Sequence, residues 1–128
     1  MKYEHEILKL RLPGLLPKRQ VHSSTAFLND SIHYAFQTYL SANALPIFKN
    51  CVICFTQIYD QSLGLTRVRD YDNIEFKQLI DTIGAFVLHD DSGTCCDTHY
   101  STRLGNQDYT LVHIMEKQRF PDWLKETE

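Results

Sequence analysis

Two acidic clusters are the residues in this chain best suited to chemistry. Asp70-Tyr71-Asp72-Asn73 sets two carboxylates at i and i+2, which in an extended stretch project to the same side. His89-Asp90-Asp91-Ser92 adds two more. Mg²⁺ prefers oxygen ligands, keeps several waters and takes few carboxylates from a protein. Asp70, Asp72 and Asp91 would therefore suffice for one or two ions that activate water and stabilise a leaving oxygen in phosphodiester hydrolysis. Asp90 is a further ligand candidate, and Mn²⁺ would fit the same donors. The same residues also have structural readings. Asp72-Asn73-Ile74-Glu75 fits a helix capping box, and Asp90-Asp91 fits a turn.

The elements that must position these clusters can be read from hydrophobic periodicity. Residues 5–12 alternate, with Leu8, Leu10 and Leu12 facing one way and Ile7, Lys9 and Arg11 the other, which predicts a half-buried strand ending at Pro13-Gly14. Ser23, Ser24 or Thr25 can cap a helix that runs to about Ala42, with Leu28, Ile32, Ala35, Phe36 and Tyr39 on its buried face. Cys51 to Tyr59 is a nearly continuous β-branched and aromatic run, as expected of a central strand covered on both faces. A polar loop over 60–72 leads to a second helix starting near Asn73, with Phe76, Leu79, Ile80 and Ile83 inward and Gly84 as a possible end. Two strands, over 93–101 and 107–116, are expected to form a hairpin through Leu104-Gly105-Asn106. Trp123 would anchor a short terminal helix. The expected class is α/β (α+β): one domain over 1–128, with a small mixed sheet against helices in the order β-α-β-α-β-β-α.

Composition narrows the classes further. A chain of 128 residues, 43% hydrophobic with seven Phe and seven Tyr, supports one core of ordinary domain size. No apolar run approaches the roughly 18 residues of a membrane span. The polar start, Met1-Lys2-Tyr3-Glu4-His5-Glu6, does not read as a signal peptide, so the expected compartment is cytoplasmic and the four cysteines are expected as free thiols. Cys51-x-x-Cys54 with Cys95, Cys96 and His99 invites a zinc reading. Residues i and i+3 on a strand project to opposite faces, however, so small buried hydrophobes fit better. The Cys-x-x-Cys pair also lies inside a strand rather than at a helix start, against a thioredoxin-like role. His89 could orient a water or phosphate, and His113 reads as structural. The sequence has no Gly-rich phosphate loop and no Gly-x-Ser-x-Gly elbow.

The motif order resembles the RusA family of Holliday-junction resolvases. The family pattern is Asp-x-Asp-Asn opening a helix, a lysine followed four residues later by an aspartate, and Asp-Asp-Ser/Ala-Gln leading into a strand. This chain reads Asp70-Tyr71-Asp72-Asn73, then Lys77 and Asp81, then Asp90-Asp91-Ser92. The resemblance implies metal-binding carboxylates at Asp70, Asp72 and Asp91, an active-site lysine at Lys77, and a RusA-like fold. It further implies a homodimer that nicks opposed strands of branched DNA with Mg²⁺, in recombination and repair. Two differences from the pattern are visible. Lys77 stands four residues after Asn73 rather than three, about 100° further round a helix, and Gly93 replaces the Gln.

Phosphate binding rests largely on Lys and Arg. Here the formal net charge is −3, and setting aside Asp70, Asp72, Asp90 and Asp91 brings it to +1. The candidate DNA contacts are Lys18, Arg19, Arg67, Arg69 and Arg103. Two other functions stay open: a catalytically inactive RusA-like domain that binds DNA or a protein partner, and a metal-dependent phosphohydrolase acting on something smaller than DNA.

Overall fold

A computed structural model of the chain describes residues 1–17, 26–64, 66, 68, 74, 76–88 and 96–127. Five strands and three helices follow in the order β1 (Lys2–Glu4), β2 (Ile7–Leu12), α1 (Ala26–Leu40), β3 (Cys51–Asp60), α2 (Lys77–Val87), β4 (Cys96–Gly105), β5 (Tyr109–Glu116) and α3 (Phe120–Thr127). The strands form one mixed sheet in the order β1-β2-β5-β3-β4. β3 and β4 run parallel, and the other pairs are antiparallel. The α+β class expected from the periodicity holds.

β3 is buried along nearly its whole length because the sheet is covered on both sides. Cys51, Ile53 and Phe55 join Leu8, Leu10 and Leu12 in a core with Leu28, Ile32 and Phe36 of α1 and Leu79, Ile83 and Val87 of α2. Val52 and Cys54 face the other way, with Ile7 and Met115 under Trp123 of α3. The two helices on the first face meet through stacked Phe36 and Phe86 rings, 4.5 Å between centroids. Two buried polar side chains of the sheet are paired: the Gln57 side chain accepts the Leu16 N–H at 2.9 Å, and Thr110 Oγ1 donates to the Gly14 carbonyl at 2.8 Å. These two bonds hold the segment that leaves β2 across the sheet.

Four details differ from the sequence expectation. The single strand over 5–12 is a hairpin. Glu4 pairs with Ile7, and His5 and Glu6 form its two-residue turn at φ 53° and 66°. Such turns are signalled by Asn-Gly or Asp-Gly, and His-Glu carries no such signal.

The second helix begins at Lys77, not near Asn73. Its N-cap is Phe76, with no side-chain capping bond, and Ile74 is in a β-bridge. The Asp72–Glu75 capping box is therefore not the start of α2. Gly84 does not end the helix either. It is buried inside it, where a Cβ would sit 3.0 Å from Leu88 Cδ1. Phe86 and Val87 beyond it complete the core face, and that burial outweighs the propensity cost of a mid-helix glycine.

The last two strands are not a hairpin. β4 and β5 lie on opposite sides of β3, so the 106–108 connection crosses the end of β3. Gly105 is the last residue of β4, opposite Asp60, and a Cβ there would fall 2.7 Å from Ile58 Cγ2. The glycine serves close packing rather than a turn. The first helix, expected to start at Ser23, Ser24 or Thr25, is described from Ala26, and those three capping candidates lie outside the described residues.

Candidate functional site

The parallel pair β3 and β4 with α2 between them forms a β-α-β unit, and both acidic motifs belong to its two connections. Asp70 and Asp72 lie between β3 and α2. Asp90 and Asp91 lie between α2 and β4. All four, with His89, lie outside the described residues, as do Lys18, Arg19, Arg67 and Arg69. The structure does describe the frame on which they are mounted. The α2 axis starts beside the middle of β4, where the Phe76 ring packs on Tyr100 at 5.0 Å between centroids, and Tyr100 stacks in turn on Phe55 of β3. It ends near the start of β3, where Leu88 is bridged to Phe48. Its 11 residues make it about 16 Å long.

Lys77 is the first residue of α2, and its side chain is exposed. A helix N-terminus carries unpaired N–H groups and partial positive charge, so this cation adds to a field that already favours anions. Asp81 is one turn further on and also exposed.

Arg103 is placed differently. Alternation along β4 puts Tyr100 toward α2, while His99 contacts Phe120 and Trp123 of α3, 5.1 Å and 5.9 Å between ring centroids. Arg103 shares the His99 face, and its Nη2 donates to the Thr127 carbonyl at the end of α3. The sheet thus separates Arg103 from the face that carries α2. A cation at a helix C-terminus is favourable, which gives Arg103 a structural role besides any contact with phosphate.

The cysteine geometry bears on zinc and redox chemistry. Cys51 faces the α1–α2 core and Cys54 the α3 core, so the two share no ion. Burial pushes the Cys54 thiol up to about 12, which keeps it protonated. Cys51 and Cys96 are register partners at the start of β3 and β4. A hydrogen bond from Cys51 draws the Cys96 thiol below its ordinary value. Cys51, Cys54 and Cys96 are free thiols, and Cys95 lies outside the described residues. Among the described residues, no group of three or more His, Cys, Asp or Glu is arranged to hold a metal.

His113 makes a structural contact from its strand position. Its Nδ1 accepts the Trp123 indole N–H at 2.9 Å. Burial, then the charges of Lys9 and Arg103, hold its pKa down at about 4. The pairing depends on β5 and α3 meeting on one face, so no local sequence signal marks it. The same face carries Arg119, which sequence reasoning did not single out. Its Nε donates to the His5 carbonyl at 3.2 Å and its Nη2 to Glu126 at 3.1 Å.

Among the described residues, no helix is long and apolar enough to cross a membrane. Comparison with curated proteins found no match. Across residues 1–128 the chain matches a family of unknown function, DUF6100, and it belongs to that family.

Proposed function

For this member of the DUF6100 family we propose a RusA-like, Mg²⁺-dependent endonuclease that hydrolyses phosphodiester bonds in branched DNA and works as a homodimer. The observation that carries the reading is the β3–α2–β4 unit. One short helix separates Asp70-x-Asp72-Asn73 from Asp90-Asp91-Ser92, and Lys77 stands at its first turn.

The chain length is compatible with one shared site. Asp72 lies four positions before Phe76 and Asp91 three positions after Leu88, at opposite ends of α2. At roughly 3.3–3.6 Å per residue these tethers reach about 24 Å together, more than the helix length of about 16 Å. Asp70, Asp72 and Asp91 would hold the ion, with Asp90 beside them. The ion would supply Lewis acidity and an activated water. Lys77, with the α2 N-terminus behind it, would receive a phosphate oxygen and offset the charge that builds on it.

A second reading is favoured by two features. Gly93 stands in place of the Gln of the RusA pattern, and Lys77 is displaced by one residue from it. It is a RusA-like fold retained for binding DNA or a protein, without catalysis. Incubating the full chain with a synthetic four-way junction, linear duplex and single strand in Mg²⁺ or Mn²⁺ separates the two. Paired nicks confined to the junction support the endonuclease. Junction binding without cleavage supports the binding domain. Hydrolysis of small phosphoesters alone would move the assignment to a phosphohydrolase.

A further inference from the structure

On the face of the sheet opposite α2, the β1–β2 turn and α3 enclose a cleft of about 450 Å³, lined among others by Lys9, His113, Arg119, Trp123 and Glu126. Its polar groups are mostly donors, and two of them lack acceptors. Arg119 uses Nε on the His5 carbonyl and Nη2 on Glu126. Its Nη1 is buried with no hydrogen-bond partner, an arrangement that native interiors avoid unless a water or ion completes it. The second donor belongs to His113. Because Nδ1 accepts the Trp123 N–H, the neutral ring carries its proton on Nε2. Among the described residues, no hydrogen bond leaves that atom.

We infer that this cleft binds a phosphate-class oxyanion through Arg119, the His113 Nε2–H and Lys9. A cation would meet the positive side chains of Lys9 and Arg119, and the carboxylate that lines the cleft, Glu126, is already paired with Arg119. An apolar ligand would leave Arg119 Nη1 and His113 Nε2–H unpaired in a less hydrated setting. A tetrahedral oxyanion supplies acceptors for all of them, and a guanidinium presents a planar fork suited to phosphate oxygens.

Glu126 is the group the ligand displaces. Its side chain is 59% exposed against 15% for Arg119, so the carboxylate can turn out to water while the oxyanion takes its place on the mostly buried guanidinium. Lys9 is held by Glu4, at 2.9 Å with both side chains part-exposed. The local field agrees, since the charges of Lys9 and Arg103 add to burial in opposing protonation of His113. The inference is independent of the aspartate reading, because the cleft shares no residue with it.

The full chain, followed by NMR of the histidine ring protons, is titrated with inorganic phosphate. A parallel titration uses a short single-stranded oligonucleotide, and chloride at matched ionic strength is the control. Binding is expected to raise the His113 pKa by one unit or more. Glu126→Gln is expected to tighten it at least threefold, and Lys9→Gln to weaken it at least fivefold. Arg119→Gln is expected to abolish binding. Because Arg119 also ties α3 to the β1–β2 turn, the Lys9 and Glu126 variants carry the test if that variant does not fold. A response to phosphate and oligonucleotide identifies a nucleic-acid backbone as a source. A response to phosphate alone identifies free phosphate or a small phosphoester. A response that chloride reproduces, or none at tens of millimolar phosphate, overturns the inference.

Discussion

Asp108 Oδ1 accepts the backbone N–H of Asp60 at 2.7 Å. The bond ties the end of β3 to the connection between its two neighbours, β4 and β5. That connection has to pass over β3, because the two strands flank it rather than pair with each other. Asp60 in turn accepts from the Ser62 N–H and hydroxyl. One carboxylate closes the strand end, and the next starts the chain toward α2.

Removing that acceptor leaves a part-buried N–H without its partner. Asp108→Ala is expected to cost about 1–2 kcal/mol. Asp108→Asn keeps an oxygen at the same place and is expected to cost less than half as much. Urea denaturation of both variants measures the difference.

The β1–β2 turn holds His5 and Glu6 at positive φ, a region that disfavours side chains other than Asn, Asp and Gly. Replacing the pair with Asn-Gly is expected to stabilise the fold by roughly 1 kcal/mol. The His5 carbonyl that accepts from Arg119 survives the change. An upward shift of the denaturation midpoint with an unchanged urea slope is the expected result.

His113 ties stability to pH. Its pKa is about 4 in the folded chain, against about 6.5 for an unfolded histidine. Between those values the unfolded chain holds more protons, so stability rises with pH and is lost as pH falls from about 6.5 toward 4. Protonation of Nδ1 also removes the acceptor for Trp123. His113→Gln, which cannot titrate, is expected to flatten the stability profile in that window. Denaturation midpoints at half-unit steps of pH compare the two.

Lys77 is exposed on the first turn of α2. Lys77→Met is therefore expected to change stability by less than about 1 kcal/mol, while lowering junction cleavage by at least about tenfold if the side chain meets the phosphate. Parallel melting curves and single-turnover cleavage rates separate loss of fold from loss of function.

Strong periodicity made much of the fold legible. The nearly continuous β-branched and aromatic run from Cys51 to Tyr59 announced an interior strand, the alternation of Leu8, Leu10 and Leu12 a half-buried one, and Trp123 an anchor. The missed features depend on contacts between distant residues. β1 is three residues long and pairs through a turn without Asn or Gly. Gly105 looked like a turn residue because nothing local shows Ile58 lying against it. The helix expected from the pattern at Asp72 to Glu75 starts instead at Lys77, after Ile74, a fully buried side chain held in a β-bridge. For the candidate site, the order of the motifs could be read directly, and the β-α-β unit now gives them a frame. The cleft under α3 could not be read, because its members come from β1–β2, β5 and the last helix.

The central claim is that Asp70, Asp72 and Asp91 act together through a divalent ion. The most direct measurement compares four-way-junction cleavage by the wild type with that by Asp72→Asn, with Mg²⁺ and with EDTA, in samples shown to be equally folded. The account predicts paired nicks that disappear with EDTA and fall at least about 100-fold in the variant, since changing even the neighbours of metal ligands costs 10–100-fold. Cleavage that persists in EDTA, or at the wild-type rate in Asp72→Asn, would contradict it.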